Sequence, residues 1–200
     1  PHFEKARTAF TQGLTKAKPP ELREKLQFKL GETQFLEGQY APAAAAFAAQ
    51  IKEHSKGQYV GVARFLAGQS YYQLKQFDQA LPLFVQVPQD TFAGIDKAQA
   101  DEHRAQALYR AGACAAELGN WKESETRYAQ LITQFAKFPQ INEARYGLAF
   151  AAQQQQQIDS ALKIYEEITK QTETETAAKA RFMIGEIRFG QMKYEEAIEH

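Results

Sequence analysis

Gly68-Gln69-Ser70-Tyr71-Tyr72-Gln73-Leu74-Lys75-Gln76-Phe77-Asp78-Gln79-Ala80-Leu81-Pro82-Leu83-Phe84 is the stretch whose reading decides the fold. Gly68 is followed twelve positions later by a second small residue, Ala80. A large apolar residue, Phe77, lies three positions before Ala80, and an aromatic, Phe84, four positions after it. The same offset joins Gly31 to Ala43, Gly112 to Ser124, Ala149 to Ala161 and Gly185 to Ala197. Tyr40, Trp121, Ile158 and Tyr194 repeat the place of Phe77, and Phe47, Tyr128 and Tyr165 that of Phe84. Successive copies are 37, 44, 37 and 36 residues apart. Phe3, Ala6 and Phe10 carry the second half of one more copy in the same phase.

A pair of antiparallel helices, A then B, joined by a tight turn explains these columns. The small residues lie where the two backbones cross, because a large side chain there would hold the helices apart. The aromatic one turn further along helix B fills the space against its own A helix and the next. The turns run through Gly38-Gln39-Tyr40, Lys75-Gln76-Phe77, Gly119-Asn120-Trp121, Gln156-Gln157-Ile158 and Met192-Lys193-Tyr194. Gly38 and Gly119 suit the left-handed conformation that ends many helices. Pro20 and Pro42 suit first helical turns. Thr174 or Thr176 can cap the last A helix, with Glu173 and Glu175 beside it.

Composition agrees with an all-α chain. The 200 residues include 33 Ala and 24 Gln against 10 Ile and 4 Val, so helix formers dominate and β-branched residues are scarce. Helices are expected at 2–17, 20–37, 41–54, 58–75, 77–88, 96–118, 121–136, 140–156, 158–170, 176–191 and from 194 onward. They group as one repeat domain over 1–200, a fragment of a longer chain. Its units are 1–18 (second helix only), 20–56, 57–90, 96–138, 140–172 and a truncated 174–200. The step of 44 places extra residues at Pro88–Asp96, as a longer third A helix or an ordered loop. Thr172-Glu173-Thr174-Glu175-Thr176 is expected as a polar loop between units.

Charge bounds the function. Lys and Arg number 24 and so do Asp and Glu, leaving no surplus of positive charge for a phosphate backbone or a polybasic membrane anchor. No stretch approaches the roughly 18 apolar residues of a membrane span. Motifs for nucleotide binding, serine hydrolysis and zinc proteolysis are absent from the sequence. His2, His54, His103 and His200 lack metal-ligand spacing. Asp101-Glu102-His103 reads as a solvated helical turn, because consecutive helix residues do not face one centre. The single cysteine, Cys114, reads as a small buried hydrophobe. The expectation is a non-enzyme with no metal or other cofactor.

The small–aromatic–small–aromatic columns resemble those of the tetratricopeptide repeat (TPR) family, which has two helices in about 34 residues. Leu30-Gly31, Tyr40, Ala43 and Phe47 match, as do Gly68, Phe77, Ala80 and Phe84; Gly112, Trp121, Ser124 and Tyr128; and Leu148-Ala149, Ile158, Ala161 and Tyr165. Ile184-Gly185, Tyr194 and Ala197 begin a further copy. The chain departs from the family in its longer repeats, in lacking Pro at the usual end of helix B, and in carrying Arg64, Arg145 and Arg181 where a Trp is common. Leu131–Phe135 followed by Pro139 and Ala144-Arg145-Tyr146 resembles bacterial envelope TPR proteins, which implies the periplasm or cell envelope.

The resemblance implies an α-solenoid, a right-handed superhelix whose A helices line a concave groove. Groove candidates before the small residue of each A helix are Phe28, Phe65, Tyr109, Tyr146 and Phe182. After it come Phe35, Tyr72, Ala116, Gln153 and Phe189, and beside it Glu32, Gln69, Ala113, Phe150 and Glu186. The same spacing also suits core aromatics wedged between neighbouring A helices. The family's clamp for a C-terminal carboxylate needs basic residues and Asn, where this chain has Phe28, Glu32, Phe35, Phe65, Gln69 and Tyr72, so no such clamp is expected. The implied function is a scaffold binding a peptide or protein segment. The alternative is the helical scaffold of a larger multidomain enzyme or assembly factor, one of the cell envelope included. RNA binding by a related two-helix repeat is disfavoured by the zero net charge and the uneven step.

Overall fold

The computed structural model describes residues 2–171 and 174–198. Thr172 and Glu173 of the expected polar loop lie outside the described residues, as do Pro1, Glu199 and His200. Eleven α-helices and one 3-10 turn, with no strand, make up the regular structure of the described residues. Each expected helix is present, its ends within about two residues of the expected bounds. The architecture is an all-α solenoid of helix pairs.

The chain forms two compact units, residues 1–114 and 115–200. The first holds α1 (His2–Lys16), α2 (Pro20–Leu36), α3 (Tyr40–Glu53), α4 (Val60–Gln73), α5 (Phe77–Gln86), the 3-10 turn Val87–Gln89 and most of α6 (Lys97–Glu117). The second holds the end of α6, then α7 (Trp121–Gln134), α8 (Ile141–Gln154), α9 (Ile158–Gln171), α10 (Glu175–Gly190) and α11 (Tyr194–Ile198). Within each unit successive helices pack on each other, and A helices also meet the next A helix: α2 touches α4, and α8 touches α10.

The crossings are built as the small-residue columns require. A Cβ added at Gly31 would lie 2.8 Å from Phe47 Cε1, and one at Gly68 the same 2.8 Å from Phe84 Cε1. Ala43, Ala80, Ser124, Ala149 and Ala161 are fully buried, and Gly112 is buried as well. Phe47, Phe84 and Tyr165 are fully buried and Tyr128 nearly so. Burying such a side chain contributes about 1.5–3 kcal/mol each. Gly147, outside the expected columns, does the same work between repeats: a Cβ there would lie 2.5 Å from Tyr128 Cε2. In the last hairpin the nearest atom to a Cβ at Gly185 is the Ala197 carbonyl oxygen, at 3.4 Å.

All five hairpin turns share one geometry. Gly38, Lys75, Gly119, Gln156 and Met192 have φ of 74°, 57°, 69°, 62° and 61°, and each sits two residues before its large apolar residue. Each turn closes with the same two hydrogen bonds. In the second, the Lys75 N–H donates to the Tyr72 carbonyl at 2.9 Å and the Gln76 N–H to the Tyr71 carbonyl at 2.9 Å. This is the Schellman arrangement, which satisfies carbonyls left over at a helix end. The sequence marked it at two glycines; Lys75, Gln156 and Met192 adopt it with no such mark.

The long step contains both candidate devices. Helix α6 runs for 21 residues, longer than the others, and an ordered connection precedes it. Asp96 Oδ1 caps α6 by accepting from the Gln99 N–H at 2.8 Å. Phe92 tucks in and stacks on His103 at 5.7 Å, with the Arg104 guanidinium 5.0 Å from its ring. Arg64 pairs with Asp90, so one of the arginines that stand where a Trp is common anchors the connection. Gly61 gives the loop room, since a Cβ there would lie 2.9 Å from the Thr91 carbonyl oxygen. Thr174 caps α10 by accepting from the Ala177 N–H at 3.4 Å.

Candidate functional site

The aromatic column that precedes the small residue divides by environment. Phe28 and Phe65 are 4% and 7% exposed and belong to the core. Phe28 stacks on Tyr59 at 4.6 Å and tilts against Phe47 at 6.0 Å; Phe65 meets Phe84 at 6.1 Å and His103 at 4.9 Å. Neither leaves a ring face for a partner, so the core alternative describes these two. Tyr109 and Tyr146 are half-buried, and Tyr146 packs on Tyr165 at 5.5 Å. Phe182 is 65% exposed.

The column after the small residue lies across the hairpin turns. Phe35 meets Tyr40 edge-on at 5.5 Å, Tyr72 meets Phe77 at 5.5 Å, and Phe189 meets Tyr194 at 5.3 Å. Phe35 and Tyr72 keep part of their surface accessible. Gln153 accepts from the Tyr165 hydroxyl at 3.2 Å. Burial raises the pKa of that phenol, which keeps its proton available for this bond. Beside the small residues, Glu32 pairs with Lys29 at 2.5 Å, Phe150 packs edge-on against Trp121 at 5.7 Å, and Glu186 is exposed.

Two groups of expected residues come together, one in each unit. On α10, Phe182, Glu186 and Phe189 wall an open recess of about 410 Å³ with Gly185, Tyr194 and Ala197. On α4, Gln69 and Tyr72 share a helix face one turn apart, and the Arg110 guanidinium of α6 lies 4.6 Å over the Tyr72 ring. Arg110 was not among the expected residues. Its signal was a cation directly after the column aromatic, which only Lys29 shares; Leu66, Gly147 and Met183 hold that place in the other units.

Metal chemistry finds no seat among the described residues, where no three His, Cys, Asp or Glu side chains converge on a possible ion. Asp101 pairs with Arg104 at 3.0 Å, and His103 sits between two aromatic rings, where burial lowers its pKa. Cys114 is fully buried. No helix of the described residues is long and apolar enough to cross a membrane.

Two tetratricopeptide repeat models match the sequence, one over residues 106–137 and one over 146–200. These two segments carry tetratricopeptide repeats. No curated protein matches the chain. Among solved structures it is similar to YrrB, described as a TPR protein with an unusual peptide-binding site: 17% identity, 96% of this chain and 88% of that one, TM-score 0.70. It is similar to MamA from Desulfovibrio magneticus RS-1, at 15% identity over 92% of this chain and 93% of that one, TM-score 0.68. It also resembles a TPR protein from Parabacteroides merdae, at 17% identity over 98% of this chain and 70% of that one, TM-score 0.65. At these identities the likeness speaks for the fold. TPR chains of this kind are protein-interaction scaffolds, and that general role extends to this one.

Proposed function

We propose that this chain is a non-catalytic scaffold that binds an extended peptide or protein segment along its A-helix face. The observation that carries the reading is the recess on α10. Phe182 and Phe189 are 65% and 63% exposed there, beside the carboxylate of Glu186. Large aromatics left open next to polar groups supply contact area and hydrogen bonds to a partner. In the first unit, Gln69 and Tyr72 offer the same chemistry on an A helix of their own. YrrB, which shares the fold, is described as having a peptide-binding site, and this supports the reading by analogy.

The test is selection of peptides from a displayed random library on the wild-type chain. Selected peptides should bind Tyr72→Ala or Phe189→Ala about tenfold more weakly, as for loss of an interface aromatic. Lys122→Ala, on the exposed side of α7, should bind as wild type. Failure to select any peptide, or equal binding by all three variants, would overturn the proposal.

A further inference from the structure

The arginines of this chain are mostly accounted for by carboxylates. Arg7 meets Glu37 at 3.1 Å, Arg104 meets Asp101 at 3.0 Å, Arg127 meets Glu123 at 2.7 Å, Arg188 meets Glu196 at 3.2 Å, and Arg64 pairs with Asp90. Arg110 differs. Its guanidinium lies 4.6 Å over the Tyr72 ring and 6.0 Å from the Tyr109 ring, but it has no hydrogen bond or ion pair among the described residues. Its Nε is buried without an acceptor. On the neighbouring helix, Gln69 Oε1 is buried without a donor, one turn from Tyr72. A buried donor left unpaired is destabilising, the more so when charged, so this arrangement is suited to being completed by a bound group.

From this we infer that Arg110, stacked on Tyr72, is the recognition point for an acidic side chain of the bound segment. The inference rests on the peptide-binding reading above and names the chemistry of the partner: an extended segment with an Asp or Glu at one fixed position. A guanidinium held over an aromatic ring retains its terminal N–H groups, a pair that a carboxylate accepts from bidentately. The aromatic face holds the cation in place and stabilises its charge. The site does not depend on a chain terminus: a C-terminal carboxylate would call for the clamp residues whose places Phe28, Glu32 and Phe35 occupy.

The experiment uses the full chain and random peptides displayed with blocked C-termini. Wild type should select peptides enriched in Asp or Glu at one position. Replacing that acid by its amide should weaken binding about tenfold or more, as for a charge-assisted hydrogen bond. Arg110→Gln should lose the enrichment, and Arg110→Glu should select Lys or Arg there instead. Thermal melts of both variants near that of wild type would confirm that they fold; if Arg110→Gln does not, Arg110→Lys serves, losing the bidentate geometry while keeping the charge. Selected peptides without acid enrichment would overturn the inference while leaving the peptide-binding scaffold standing. So would enrichment that survives Arg110→Gln, or that appears only with free C-termini. Failure of wild type to select anything would overturn both.

Discussion

Phe28 and Phe182 occupy the same place in the repeat, one turn before the small residue of helix A, yet one is 4% exposed and the other 65%. Phe28 lies under Tyr59 and against Phe47, the aromatic of its own B helix. Among the described residues Phe182 has no such cover, and the Gly185 beside it faces the Ala197 carbonyl oxygen alone. The same contrast separates Gly31 and Gly68, each pressed by a Phe ring, from Gly185. A column position in this chain therefore sets which face a side chain is on. Its neighbours set whether that face is core or surface.

Substitutions that treat the two regions alike break or sharpen this contrast. Phe84→Ala should cost about 3–5 kcal/mol, the range for emptying a buried aromatic site, whereas Phe182→Ala should stay within about 0.5 kcal/mol by denaturant unfolding. Comparable losses at both would contradict the division into core and surface. Gly68→Leu should overpack its crossing and cost about 1–3 kcal/mol or more, while Gly185→Leu should be tolerated. Equal midpoints for the two leucine variants would remove the physical meaning of the glycine column.

Smaller effects sharpen the account of the turns and the long connection. Lys75 holds a left-handed conformation that disfavours side chains by about 1–2 kcal/mol. Lys75→Gly should raise the melting temperature, by less than that strain because glycine also gains freedom in the unfolded chain. An unchanged or lower melt would argue against strain at the turn. His103 contributes a pH dependence. Burial lowers its pKa in the folded chain below the ordinary 6.5, so as pH falls through that value the unfolded chain takes up the proton first. Stability should therefore decline below about pH 6.5 and level off under the folded pKa. His103→Phe should flatten that part of the stability profile; an identical slope in the variant would place its origin elsewhere.

How much could be read in advance follows from what each feature depends on. The crossings were legible because a missing Cβ and a ring four residues along the partner helix leave a fixed spacing in sequence, as at Gly68, Ala80 and Phe84. Helix ends were legible from the same register. The left-handed turns at Lys75, Gln156 and Met192 were not, since tertiary packing imposes a conformation their residue types do not advertise. Gly147 escaped because its partner ring, Tyr128, belongs to the preceding hairpin and lies outside the offset within one unit. Phe28 and Phe182 could not be told apart, because burial comes from neighbours and the column is the same. Arg110 emerged only in space, because the fold lays its guanidinium over the Tyr72 ring of another helix.

The nesting of glycine against aromatic is tested most directly by a double-mutant cycle on Gly68→Ala and Phe84→Leu. Gly68→Ala would place a Cβ 2.8 Å from the Phe84 ring, and shrinking that ring should relieve the clash. The account predicts that the double variant is less destabilised than the sum of the two single changes, by about 1 kcal/mol or more. Additivity within about 0.5 kcal/mol would show that the two side chains do not set each other's fit, and would contradict it.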